Sequence, residues 1–359
     1  MSMRMIFAAL MTLVTTTTSA GDLTIERVFG PEIKTGPYKH PACLTELDNG
    51  DLYLVYYGGE GEYATDTSVF GSRKKKGEET WSPPVVIAHD PIRSVGNGVI
   101  WQAPDGLLWL FYVVRDGATW STSRVQFKVS KDRAVSWSDA SVLSNVPGTM
   151  VRNRPIVVGN GSYLLPAYRE TGHDPESVGP DSVSIFFRFD PHAREKKWVE
   201  SAPIRSKNGN IQPAVANLGG ILVAYCRRGG DYSPSTRGFL VRSESRDQGV
   251  TWSEGVDSPF PNPNAAVDFL RLLGPANRSA GLMLVYNDCF VGRTPLTLAI
   301  SYDNGKTFPV KKNLVEGPGD FGYPIAFQTR QGKIHVVFTS EKRTVVNHAV
   351  FDEGWVNGK

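Results

Sequence analysis

Cysteine and histidine are scarce in this chain, three and six among 359 residues. Three cysteines, Cys43, Cys226 and Cys289, cannot all pair, which excludes a disulfide framework. One bridge or three buried thiols remain. Neither residue type clusters at ligand spacing, so no metal or other cofactor is expected. A calcium site near the Asp-rich turns has no ligand pattern behind it. Charge of neither sign dominates, with 39 Lys and Arg against 36 Asp and Glu for a net +3. The one basic run, Arg73-Lys74-Lys75-Lys76, reads as a solvated loop; nucleic-acid binding would need a whole basic face. Helix-period segments of useful length are missing beyond the N-terminus. So are apolar runs long enough to span a bilayer.

The N-terminus carries a different signal. Arg4 supplies a positive start, Met5 to Val14 an apolar stretch, and Thr18-Ser19-Ala20 a small-residue cleavage site. Residues 1–20 are therefore expected to be a signal peptide cut after Ala20, with an uncleaved anchor as the alternative. The protein is then secreted or periplasmic, and residues 21–359 form a single domain. Loss of Arg4 lowers the net charge from +3 to +2.

What the chain does contain is a repeat. Ser245-Arg246-Asp247-Gln248-Gly249-Val250-Thr251-Trp252 reads S-x-D-x-G-x-T-W, and Ser301 to Phe308 repeats it with Phe for Trp. Ser130 to Trp137 keeps Ser, Asp and Trp but has Ala134 where Gly belongs. Ser72 to Trp81 is a worn copy, Lys196-Lys197-Trp198 stands where a fifth is due, and Trp355 closes a shortened last unit. A period of about 55 residues marks repetition of one supersecondary unit. Asp and Gly two apart suit a tight hairpin turn, and the aromatic can pack beneath it. Between the turns run short aromatic and β-branched stretches such as Leu107 to Val114 and Lys333 to Thr339. The expected fold is all-β, a six-bladed β-propeller of four-stranded antiparallel blades. The turns themselves are structural.

A propeller gathers one loop set around its axis, so polar residues at matching phases of the repeat are the candidates for chemistry. Tyr38-Lys39-His40-Pro41, Arg152-Asn153-Arg154-Pro155, Asn210-Ile211-Gln212-Pro213, Asn262-Pro263-Asn264 and Phe321-Gly322-Tyr323-Pro324 recur in this way. The S-x-D-x-G-x-T-W turns, known as Asp-boxes or bacterial neuraminidase repeats, give the chain a likeness, carried further by Asn210 to Pro213, Pro261 to Asn264, Arg293 to Leu296, Tyr323-Pro324 and the closing Arg343 to Asp352. From Tyr38 to Asp352 it resembles the sialidase superfamily, in the branch of BNR-repeat sialidase-like proteins.

That resemblance implies site residues. Arg227 and Arg293 match two of the three arginines with which sialidases grip a sugar carboxylate, and Tyr323 matches their tyrosine nucleophile. Asp66, or Glu62 in competition with it, stands for the acid/base. Two positions depart from the pattern. Lys39 lies where the first arginine belongs and lacks its planar fork. Gln212 lies where the glutamate partner of the tyrosine belongs, and an amide cannot take a proton. Glu170 and Asp268 are the carboxylates available to stand in. Arg154, Asn264 and Arg343 complete the expected substrate contacts.

Three readings follow. The first is an exo-acting glycoside hydrolase of sialidase kind on an acidic sugar. The second is a lyase on uronate-containing glycans, with His40 or His173 abstracting a proton and Tyr323 donating one. The third is a propeller that binds acidic sugars without turnover, since loop arginines such as Arg228, Arg237 and Arg242 are common here. The first two share an acidic glycan partner. The Gly- and Pro-rich loop around His173 could overhang the cavity. Trp101 and Trp120 could stack on sugars, whereas Trp109 sits in an apolar strand and reads as core. A monomer is the default for a closed propeller.

Overall fold

The computed structural model describes residues 22–172, 177–233, 237–274 and 281–358. The leader expected over residues 1–20 and the loop histidine His173 lie outside them. The described chain opens with β1 (Thr24–Phe29), followed by the first blade, β2 (Tyr38–Glu46), β3 (Leu52–Gly59), β4 (Ser68–Lys74) and β5 (Val85–His89). The second blade is β6 (Ser94–Gln102), β7 (Leu108–Arg115), β8 (Ser123–Ser130) and β9 (Ser141–Ser144). In the third, the innermost position is split between β10 (Thr149–Val151) and β11 (Ile156–Val157), both paired to β12 (Tyr163–Arg169), with β13 (Val183–Phe189) and β14 (Trp198–Glu200) outside them. The fourth holds β15 (Asn210–Leu218), β16 (Ile221–Arg228), β17 (Phe239–Ser245) and β18 (Val256–Pro261). The fifth holds β19 (Asp268–Arg271), β20 (Leu282–Asn287), β21 (Leu296–Ser301) and β22 (Val310–Val315). The sixth, β23 (Gly322–Gln328), β24 (Ile334–Ser340) and β25 (Val345–Phe351), takes β1 as its outer strand, so the two ends of the chain close the ring. All pairings within blades are antiparallel. This is the six-bladed propeller that the repeat predicts.

Burial follows position in the blade. The second strands are apolar on both faces because neighbouring blades cover them, and all eight residues of β7 are buried. Outer strands β5, β9 and β18 leave at least half of their residues exposed to solvent. Trp109 stacks on Phe111 and is core, and Trp101 packs edge-on against Tyr163. Cys43 and Cys226 are buried and unbonded, while Cys289 is only half-buried, so neither one bridge nor three buried thiols describes them. Among the described residues, helix is confined to a 3-10 turn at Trp120–Thr122 and α1 (Glu353–Val356). Among the described residues no helix is long and apolar enough to cross a membrane.

The Asp-boxes join the third and fourth strands of their blades. Asp247 accepts from the Ser245 hydroxyl at 2.8 Å and from Thr251 N at 2.9 Å, while Gly249 N donates to Ser245 Oγ at 2.9 Å. Asp303 and Asp132 repeat the scheme with Ser301 and Ser130. Each turn needs two left-handed residues, Gln248 and Gly249 in one and Asn304 and Gly305 in another. The Ser130 to Trp137 copy, which lacks the glycine, supplies them as Arg133 and Ala134. The aromatics then pack on the preceding blade: Trp252 stacks on Phe186 at 4.3 Å and Phe308 meets Phe260 at 5.0 Å.

Candidate functional site

The innermost strands build the site through a shared irregularity. Register breaks between Lys39 and Ala42, Gly96 and Val99, Ile211 and Ala214, and Gly322 and Ile325. Each β-bulge re-aims one side chain toward the propeller axis. Asn97, Gln212 and Tyr323 take left-handed backbone there, with φ of 46°, 53° and 55°, and Asn264 does the same at 58°. Such strain in non-glycine residues is a mark of functional sites. His40, Asn97, Asn153, Gln212, Asn264 and Tyr323 thus form one six-fold set, spaced 52 to 59 residues apart.

A cavity of about 460 Å³ opens over this set. Its floor includes His40, Asn97, Gln212 and Tyr323, and its walls carry Glu62, Glu170, Tyr168, Arg227, Arg293 and Arg343. Trp120, Tyr63, Tyr232 and Phe290 also line it. Among the described residues no group of His, Cys, Asp and Glu could hold a metal ion.

Tyr323, 7% exposed, is the centre of the charge distribution. Arg227 Nη1 donates to its hydroxyl at 3.1 Å. The guanidinium carbons of Arg293 and Arg343 lie 5.1 and 5.9 Å from its ring centre, and that of buried Arg152 lies 5.5 Å away. Arg152 also donates to the Tyr323 carbonyl. Burial alone would raise the Tyr323 phenol, but Arg227, Arg293 and Arg343 outweigh it and bring it down to about 8.

The cations are themselves held. Arg227 donates through Nε to Asn264 Oδ1 at 2.6 Å and through Nη1 to Gln212 Oε1 at 3.2 Å. Gln212 Nε2 and Asn97 Nδ2 both donate to the Tyr168 hydroxyl, at 3.3 and 3.2 Å. Gln212 therefore positions Arg227 and Tyr168; no hydrogen bond links it to the Tyr323 hydroxyl. Arg343 enters from a tight turn between β24 and β25 in which Glu341, Lys342 and Arg343 are all left-handed. It donates to Glu62 and, at 3.3 Å, to the Tyr38 hydroxyl.

Other groups differ in role. His40 Nδ1 lies 2.9 Å from Thr339 Oγ1, and its ring meets that of Tyr323 edge-on at 4.0 Å. Burial first, then Arg343, Arg293, Arg152 and Arg227, push its imidazole well below the usual histidine range. Burial pushes the Glu170 carboxyl up to about 7 against the opposing charge of Arg227.

Five expected residues do not line the cavity. Lys39 points away from the axis, because His40 occupies the bulge, and its fully buried ammonium donates to Gly36 O. Arg154 runs under the floor, donating to Ala326 O at 2.8 Å and stacking on Phe327. Asp66 is exposed and accepts from Glu60 N at 3.2 Å. Asp268 accepts from Ala326 N at 2.7 Å, a strand-to-strand tie. Asn264 touches the site only through Arg227. Residues missed in the sequence are Asn97, Tyr168 and Tyr232, while Arg152 stood in a recurring phrase without a role of its own. Of the three, Asn97, in Gly96-Asn97-Gly98 at the bulge phase, carried a readable signal.

Three comparisons bear on this arrangement. Residues 50–336 match the BNR repeat-like domain family. Comparison with curated proteins gives no match. Among solved structures, the Hadza microbial sialidase Hz136 superposes with a TM-score of 0.76 at 17% identity, over 92% of this chain and 68% of that one. The NanB sialidase from Streptococcus pneumoniae gives 0.74 at 12% identity, over 92% and 71% of the two chains. The leech intramolecular trans-sialidase gives 0.74 at 12%, over 95% and 71%. Identity this low shows a common fold. Repeat, blade count and family match agree: the chain belongs to the BNR repeat-like domain family, a sialidase-like β-propeller.

Proposed function

We propose that this protein is a glycoside hydrolase that removes a terminal acidic sugar. The observation that carries the reading is a buried tyrosine whose phenol is ringed by three guanidiniums. Arg227, Arg293 and Arg343 supply a cationic wall that suits a sugar carboxylate through charge-assisted hydrogen bonds. The same charges draw the Tyr323 phenol toward its ionised form, which makes it a competent nucleophile without a glutamate partner. A cavity of about 460 Å³, closed by a floor of bulged strands, suits one sugar unit rather than a polymer in mid-chain. The leader expected from the sequence of residues 1–20 would direct the single domain expected over 21–359 to act outside the cytoplasm.

Elimination from a uronate is the second reading, favoured by the contact between His40 and Tyr323. It is the weaker one, because a depressed imidazole is a poor base for a carbon acid. The deciding experiment is a product mass spectrum after incubation with sialosides and uronate polysaccharides, with Tyr323→Phe alongside. Hydrolysis gives products heavier by one water, lost in the variant. Unsaturated products without added water would replace this reading with the lyase, and an unchanged panel would leave binding alone.

A further inference from the structure

Glu170 follows directly on β12, two residues beyond Tyr168, so strand alternation sends both side chains to the same face. That face is the cavity wall. The groups around the Glu170 carboxyl come from three elements: Arg227 at the end of β16, Glu62 and Tyr63 from the loop after β3, and Tyr168 from its own strand. Among the described residues none forms a salt bridge or hydrogen bond to that carboxyl group. It is a half-buried carboxyl group without a structural task, facing the space in which a sugar would lie.

The other carboxylates near the cavity are otherwise engaged or placed. Asp66 is exposed and caps the Glu60 backbone N–H. Glu62 is committed to a salt bridge with Arg343. Asp268 ties two strands beneath the floor. Asp320 is on the wall but comes from the loop before β23, in the sector of Arg293.

We propose that Glu170 is the proton donor to the leaving glycosidic oxygen, an assignment that rests on the hydrolase reading. In the first step its carboxyl proton passes to that oxygen. The anomeric C–O bond breaks with its electron pair remaining on the leaving oxygen, and the Tyr323 phenolate forms a new C–O bond to the anomeric carbon. In the second, water attacks the anomeric carbon and gives a proton to the Glu170 carboxylate. The bond to Tyr323 breaks, and its electron pair restores the phenolate. The sum is addition of one water. A carboxyl group raised by a largely desolvated site is how a glycosidase keeps a proton donor ready. Burial leaves Glu170 holding its proton near neutrality.

The test compares a nitrophenyl sialoside, whose leaving group needs no proton, with sialyllactose, whose leaving group does. Glu170→Gln is nearly isosteric, and its melting temperature should match the wild type. The expected result is a loss in kcat/KM of about 100-fold or more on sialyllactose and under about 5-fold on the nitrophenyl substrate. The fall in rate above about pH 8 should disappear with it. Equal losses on both substrates, or retention of that alkaline limb, would overturn the assignment. So would the same leaving-group signature in Glu62→Gln or Asp320→Asn instead. Wild-type protein that turns over neither sialoside overturns the hydrolase reading first, and this assignment with it.

Discussion

Arg227 Nη1 lies 3.1 Å from the Tyr323 hydroxyl, although the two residues are 96 positions apart and come from different blades. The contact is oriented from both sides. Asn264 and Gln212 hold the guanidinium, and the bulge at Gly322–Ile325 aims the phenol. A buried cation at this distance favours the phenolate and so sets the reactivity of the tyrosine.

Tyr323 should therefore titrate far below an ordinary tyrosine. Ultraviolet phenolate absorbance of the wild type, minus that of Tyr323→Phe, is expected to show one phenol ionising at about pH 8. Arg293→Met should move that step up by about one unit or more, since the nearby charge is lost while burial remains. A step at the ordinary tyrosine position in the wild type would contradict the electrostatic account.

The rate should follow a bell-shaped pH curve. Tyr323, near 8, must lose its proton and Glu170, near 7, must keep its own. The optimum is thus expected between these values, with only a minority of molecules in the reactive state. Measurement of kcat/KM across this range checks it.

Arg343 and Lys39 should respond differently to truncation. Arg343→Met removes a cavity guanidinium and is expected to lower kcat/KM by roughly 10- to 100-fold, the weight of one charged hydrogen bond. Lys39→Met leaves the cavity lining intact and should affect thermal stability without a comparable kinetic loss. Paired kinetic and melting measurements separate the two.

Ala134 occupies the left-handed position that Gly249 and Gly305 fill in the complete Asp-boxes, with φ of 64°. Ala134→Gly should relieve this strain and stabilise the fold by about 0.5–1 kcal/mol. Gly249→Ala should do the reverse by about 1–3 kcal/mol, because its new Cβ would also lie 2.8 Å from Leu164. Thermal unfolding of the two variants gives the signs.

The closure between the chain ends should fail in acid. Burial works to raise the Glu26 carboxyl, but hydrogen bonds from His348, Trp81 and Lys74 hold it down to about 2. A carboxyl depressed by folding stabilises above its unfolded value and loses that contribution as pH falls through its folded one. Burial also depresses His335, to about 3, and His348. Below about pH 6.5 the unfolded chain takes up these protons and the folded one resists, which acts in the same direction. Melting temperature should drop as pH falls from about 6 to 2, and more gently in Glu26→Gln.

Local chemistry carries some of these features, and it is there that the sequence is readable. Asp247, Gly249 and Trp252 make their turn from contacts within eight residues, so the repeat and its hairpins appear directly in the letters. Tyr323, Arg227 and Arg293 were visible through resemblance to a family whose site reuses those phrases. Lys39 misled because its neighbour His40 takes the bulge, and one position along a strand reverses the face. Tyr168 gave no signal at all. A tyrosine in an apolar strand looks like core until the blades are brought together.

By itself, then, the sequence determined the number of blades, the turns between their strands and the phase at which cavity residues recur, because each of these rests on short-range periodicity. Tertiary structure decided which of the candidates occupy the cavity. It kept Arg343, from the far end of the chain, on the wall, turned Lys39 away and left Asp66 in solvent. It also set Glu170, whose carboxyl has no partner among the described residues, on the wall of the cavity that Tyr323 lines. Those outcomes depend on how six sheets converge on one axis, a geometry that no local stretch of residues encodes.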